Sequence, residues 1–238
     1  MEFLAINELN FIPLLDHCCG DPTVGVLQSA FALVGDLSKN CFKFLEPHLH
    51  SILSKLTNRI LNTTTSVSNN AGWAIGEIAT HISREKLEPH FDEMLPKFSI
   101  LLLRKEVHSS LLQNTCITLG RLGYVSPKFL AKYSLQILKP WCGIMTVARN
   151  DPEKVHAFEG ICAMISEHPE VVLHCLPEFC RAILSFNPCP PSLQQLFHII
   201  LDGLGRTYPD QWNTFWNNSS VEIKEELSKR FYFVSEQR

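Results

Sequence analysis

The chain has 238 residues with 21 Lys and Arg against 24 Asp and Glu, a net charge of −3, and 45 % hydrophobic content. Its charged fraction of 19 % lies below the roughly 25 % of an average globular protein, which excludes a disordered or solvating tail. The slight acidity, with no basic stretch interleaved with aromatics, argues against a surface that neutralises nucleic-acid phosphates.

The first predicted helix falls in MEFLAINELNFIPLLDHCC, which is apolar on one side. It carries Glu2 and Glu8 where a secretory leader would be basic. It has no polar cap before it, as an array continuing further, or paired at that end, would require. VLQSAFALVGDL follows after Gly20-Asp21-Pro22. CFKFLEPHLHSILSKLTNRIL then aligns Phe44, Leu45, His48, Leu49, Leu53 and Leu56 on one side, near the 3.6-residue period. The TTTSV run of residues 63–67 reads as a loop before VSNNAGWAIGEI. The same alternation recurs downstream. LEPHFDEMLPKFSILLL precedes LLQNTCITLGRL, PKFLAKYSLQILKPWCGIM precedes VHAFEGICAMI, and PEVVLHCLPEFCRAILSF precedes LQQLFHIILDGL. VEIKEELSKRF is a polar helix suited to capping the C-terminal end.

Pro47, Pro96, Pro140 and Pro177 stand inside the first member of each pair and would bend or divide it. Gly20-Asp21-Pro22, Asn150-Asp151-Pro152 and Asn187-Pro188 read as helix starts, with Asp or Asn as cap. The second members end at Leu37, Ile78, Leu122, Ile165 and Leu204, giving spacings of 41, 44, 43 and 39. Periods of roughly 40–47 residues holding two helices mark HEAT or armadillo arrays. The expected fold is all-α, a HEAT-repeat α-solenoid of about five to six antiparallel helix pairs. It forms one array over 1–238, with units at roughly 7–39, 41–82, 87–124, 127–167 and 169–208 and a cap over 210–238. Ala30, Ala32, Gly35, Ala71, Gly72, Ala74, Gly76 and Gly120 recur in the second helices. Gly inside a helix costs about 1 kcal/mol against Ala, so its repetition points to close helix–helix approach.

Nine cysteines, an odd number spread through apolar periodic stretches, read as buried thiols of a reducing compartment. Residues 182–201 lack charge, but Pro188, Pro190 and Pro191 interrupt them, so they form no membrane helix. No GxxxxGK[ST], GxSxG or HExxH motif is present, and the spacings of His17-Cys18-Cys19, His48 with His50, and Cys175 with Cys180 suit no zinc site. The reading is of a protein that is not an enzyme, with no cofactor and no metal.

Across the aligned units, residues form rungs. Ser29, Asn70, Asn114, Ala157 and Leu196 make one; Ala32, Trp73, Ile117, Gly160 and Ile199 another; Asp36, Glu77, Arg121, Met164 and Gly203 a third. In the first three units these positions lie at i, i+3 and i+7, on one helix face. Such a face can hold an extended peptide, the amide bonding its backbone and the indole supplying apolar area. The residues alone leave two plainer alternatives open. Trp73 can be a packed helix–helix residue, and Asn70 and Asn114 can be inter-repeat hydrogen-bond ladders. Asp36 and Glu77 read as solvated carboxylates on the groove.

SAFALVGDLSK, NNAGWAIGEI, QNTCITLGRLGYVSP, LKPWC and FEGICAMIS resemble the C-terminal HEAT repeats of the transportin (karyopherin-β2) nuclear import receptors of the importin-β superfamily. The resemblance runs from about residue 10 to the end. It implies a protein of cytoplasm and nucleus that binds cargo with a proline–tyrosine nuclear localisation signal, without direct nucleic-acid binding or membrane insertion. Trp73, Asn69, Asn70, Asn114 and Ile117 match residues contacting the hydrophobic or basic part of that signal, and Gln28 and Asp36 match further polar contacts. Gly72 stands where the family usually has a bulkier residue, and Arg121 is given a structural role because it would repel basic cargo. The resemblance further implies that Ran GTPase acts through upstream repeats absent here. The alternative from another class is a structural HEAT scaffold binding a folded partner.

Overall fold

The computed structural model describes residues 10–61 and 63–231, and all regular structure among them is helical. The start of the first expected unit, Asn62 and the end of the expected cap lie outside the described residues. The elements are α1 (Phe11–Cys18), α2 (Val24–Leu45), α3 (Leu49–Asn58), α4 (Thr65–Ala79), α5 (Arg84–Leu87), α6 (Phe91–Leu103) and α7 (Ser109–Val125). They continue with α8 (Pro127–Ala131), α9 (Ser134–Val147), α10 (Pro152–Glu167), α11 (Leu176–Ser185), α12 (Pro191–Thr207), α13 (Pro209–Asn218) and α14 (Val221–Arg230). No helix among the described residues is long and apolar enough to cross a membrane.

Helices α2, α4, α7 and α10 pack side by side in chain order, with α12 following α10. The partners α3, α6, α9 and α11 form the second layer, and the core lies between the layers. Leu45, Leu53, Ile75, Phe91, Leu119, Trp141, Phe158 and Phe197 are buried there without a break. Phe158 sits at an aromatic centre, 5.0 Å from Trp141, 5.4 Å from Phe197 and 5.8 Å from Phe186 between ring centroids. At the C-terminal end α14 packs on α11, and Phe231 meets Phe197 at 6.5 Å.

The helix breaks are partly those the prolines suggest. Pro47 lies in a 3-10 turn, Glu46–His48, and Pro89 lies in its counterpart, Glu88–His90. Pro177 sits in the first turn of α11, where its missing N–H is harmless. Pro96 and Pro140, by contrast, stand within α6 and α9, which continue through them. A further break is invisible as a proline. Helix α2 leaves helical geometry at Cys41 (φ −143°, ψ 33°), so the chain passes between layers without a loop.

Of the three starts, Asp151 caps α10, its side chain accepting from Lys154 N at 2.9 Å with Pro152 following. Asp21 accepts at 2.7 Å from the N–H of Thr23, two residues on, which is the cap position of α2. Asn187 does not cap. Helix α12 starts only at Pro191, and the Asn187 carbonyl instead accepts from Asn150 Nδ2 at 2.9 Å. Thr65–Val67, read as loop, form the first turn of α4, because Ala71 to Ala79 pack the helix on both sides and override the low propensity of Thr and Ser.

No disulfide joins the nine cysteines among the described residues. Burial pushes the thiols of Cys116, Cys142, Cys162 and Cys180 up, so they stay protonated and behave as small apolar residues.

Candidate functional site

Helix α4 is the centre of the second-helix face. It is wedged between α2 and α7, and Ala71, Gly72, Ala74, Ile75 and Gly76 are all buried. Glycines let the neighbours approach, Gly76 of α4 against Thr118 of α7 and Gly35 of α2 against Trp73 of α4. Trp73 uses the space so created. A Cβ placed on Gly35 of α2 would lie 2.2 Å from its Cζ3 and 2.5 Å from its Cε3. The benzo edge of the indole thus occupies the room that Gly35 leaves. The ring remains half-buried, and its N–H has no hydrogen-bond partner among the described residues.

The amides bridge the same helices. Asn70 Nδ2 donates to the Gln28 carbonyl of α2 at 2.9 Å, and Asn114 Nδ2 of α7 donates to Asn69 Oδ1 at 2.9 Å. Thr118 Oγ1 donates to the Gly72 carbonyl at 2.8 Å. Each amide therefore has one end fixed by a neighbouring helix. Asn70 Oδ1, Asn114 Oδ1 and Asn69 Nδ2 keep the capacity for a further bond. The ladder and the binding face are not exclusive alternatives, because fixing one end orients the other and lowers the ordering cost of a new contact. Ile117 is half-buried next to the core, while Gln28 and Asp36 are exposed.

Glu77 corrects the sequence reading. It is buried, 4 % exposed, and its Oε1 pairs with Arg121 Nη1 at 2.8 Å. Arg121 also faces Glu153 Oε1 at 3.5 Å, and its buried Nε has no partner. The cause is the register itself: successive rungs put Glu77 of α4 opposite Arg121 of α7, and charges taken from water must pair. The charge of Arg121 is offset locally, so repulsion of a basic ligand, the ground for giving it a structural role, is removed.

A groove of about 900 Å³ extends from the end of α4 across α7, α10 and α12. Tyr124, 70 % exposed, and Ile199, 57 % exposed, stand in it with His156, Glu159 and Leu196. Ile199 belongs to the Trp73 rung, whereas Tyr124 and Glu159 escaped the sequence reading. The available signal was position: Tyr124 lies seven residues beyond Ile117, on the same helix face.

No protein-family model matches the chain. Transportin-1 of Mus musculus and of Homo sapiens are each 36 % identical to it over 230 residues, covering 96 % of this chain and 25 % of theirs. Transportin of Dictyostelium discoideum is 31 % identical over 231 residues, covering 97 % and 25 %. The chain is related to the transportins of the importin-β family. It spans about a quarter of the length of the curated relatives it matches. Among solved structures, a designed armadillo repeat protein superposes with a TM-score of 0.56 at 14 % identity, over 92 % of this chain and 98 % of that one. A computationally designed armadillo repeat protein for modular peptide recognition gives 0.55 at 13 %, over 92 % and 99 %. These likenesses establish the helical-repeat solenoid.

Proposed function

We propose that the second-helix face of α2, α4 and α7 is a cargo wall. It holds an extended basic or hydrophobic segment of a proline–tyrosine localisation signal. The observation that carries the reading is the continuous row of half-used groups: the Asn70 amide, the Trp73 indole, the Asn69–Asn114 pair and Ile117. On this reading Trp73 and Ile117 bury apolar side chains of the signal, and the open amide ends bond its backbone. Gln28 and Asp36 sit at the rim, Asp36 drawing basic residues. The segment works in cytoplasm and nucleus as one stretch of a longer receptor, with Ran GTPase engaging repeats elsewhere. No step of the work requires catalysis.

A wall this short is expected to bind with a Kd on the order of micromolar or weaker. The test is a titration of a labelled localisation-signal peptide. Trp73→Ala is expected to weaken binding about 30-fold, as loss of a central aromatic anchor does. Because that change also empties the joint over Gly35, Asp36→Asn serves as the variant that leaves packing intact. It is expected to weaken binding a few-fold and to lose salt sensitivity. Wild-type affinity in both variants overturns the assignment.

A further inference from the structure

The groove over α7, α10 and α12 lies beyond the residues assigned above. We propose that it is an arginine subsite for the same extended peptide, with the side chain seated between Tyr124 and Ile199 and its guanidinium on Glu159. The proposal rests on the peptide-binding reading of the neighbouring wall and names a determinant that reading does not contain.

Charge decides the sign of the ligand. The formal charges lining the groove are those of Arg84, Arg121 and Glu159, with His156 beside them. Arg84 Nε is paired with Glu88 at 2.6 Å and Arg121 Nη1 with Glu77 at 2.8 Å. Both cations are thus neutralised by their own carboxylates. Glu159 is half-buried and has no ion-pair partner among the described residues. A cation entering the groove gains a carboxylate already stripped of part of its water, while an anion meets that carboxylate and no free cation.

Shape decides which cation. Tyr124 and Ile199 expose apolar area, and Leu196, Val125 and Ala163 line the groove with them. A long aliphatic stem with a charged head suits such a lining. Arginine fits better than lysine because its planar guanidinium stacks on a phenol face and bonds a carboxylate with two N–H groups. Continuity places this subsite on the same ligand. Asn114, Ile117, Arg121 and Tyr124 follow at i, i+3, i+7 and i+10 on α7, one face of one helix. Adjacent helices lie about 10 Å apart, so crossing from α7 to α12 spans about 20 Å, or about six extended residues.

The experiment measures binding of two fluorescent localisation-signal peptides that differ only in having every arginine replaced by neutral citrulline. The proteins are wild type, Glu159→Gln, Tyr124→Ser and Trp73→Ala. Tyr124 is exposed and Glu159 half-buried, and an unchanged thermal melt establishes that their variants are folded. Wild type is expected to prefer the arginine peptide. Glu159→Gln is expected to weaken the arginine peptide about tenfold, the scale of one charge-assisted contact, and to leave the citrulline peptide unchanged. Tyr124→Ser weakens the arginine peptide more than the citrulline one. Trp73→Ala is expected to weaken both peptides alike and to keep the preference. If Glu159→Gln binds both peptides as wild type does, the subsite is refuted while the Trp73 wall stands. If Glu159→Gln loses the preference but Trp73→Ala binds normally, the subsite stands and the wall falls. Failure of wild type to bind either peptide refutes both. Self-association in sedimentation that Tyr124→Ser abolishes would make the groove a contact between copies and overturn the proposal.

Discussion

The joint between α2 and α4 and the joint between α7 and α10 are both made by glycine, yet they leave opposite surfaces. In the first, Gly35 clears space that an indole refills, and Trp73 ends half-buried with no partner for its N–H among the described residues. In the second nothing refills the space. A Cβ on Gly160 would stand 1.7 Å from the Gly120 carbonyl oxygen, and one on Gly120 would stand 2.4 Å from Ala157 Cα. The backbones themselves meet. The same missing methyl therefore gives a surface for recognition in one place and direct helix contact in the other, according to whether a neighbouring side chain enters the gap.

The backbone joint is where the comparison is easiest to break. Gly160→Ala is expected to be the most damaging of the glycine changes, about 3–5 kcal/mol, because the obstacle is a carbonyl on a packed helix and cannot rotate away. Denaturant unfolding measures it. A variant within about 1 kcal/mol of wild type would show that α7 and α10 do not touch through their backbones.

The two joints also show what can be read before folding. That Gly and Ala recur at one register is plain, and close approach explains Gly35, Gly76 and Gly120 but not Gly72. Which glycine receives a side chain is not plain, because Gly35 and Trp73 are 38 positions apart and no local rule pairs them. The buried Glu77–Arg121 pair was closer to legible. Opposite charges on consecutive rungs of one ladder announce it, but reading each rung residue by itself made Glu77 a solvated carboxylate. Asn187 failed as a cap for a local reason, since Pro188 and Pro190 delay the start of α12 to Pro191. The amide row was visible in sequence as residue types. Which end of each amide is used, and so which end is open, required the neighbouring helix.

The side-chain joint yields the next effect. Gly35→Ala places a methyl inside the Trp73 ring, with an expected cost of about 2 kcal/mol as the indole is displaced. In a Trp73→Ala background the obstacle is gone. There Gly35→Ala is expected to be neutral, or to stabilise by about 1 kcal/mol through helix propensity. A double-mutant cycle by denaturant unfolding reads this directly. Strict additivity would mean that the indole does not lie on Gly35.

The smallest effect separates glycines that are needed from one that is not. A Cβ at Gly76 would come within 2.8 Å of Thr118 Oγ1 and 3.2 Å of Arg121 Nη1, so Gly76→Ala presses on the α4–α7 joint and its ion pair. A Cβ at Gly72 would meet only Phe98 Cε1, at an ordinary 3.7 Å. Gly72 lies mid-helix, its carbonyl already held by Thr118, and neither bond nor packing requires the missing side chain. Gly72→Ala is therefore expected to stabilise the chain by about 0.5–1 kcal/mol, the helix-propensity difference, while Gly76→Ala destabilises it. Because Gly72 adjoins Trp73, the same variant measured with the signal peptide also asks whether the bulkier residue that transportin resemblance implies there matters for the wall. Unchanged affinity with a raised melting temperature would assign the glycine to stability alone. Tighter binding would mean that a stiffer α4 holds Trp73 and Asn70 closer to their bound positions.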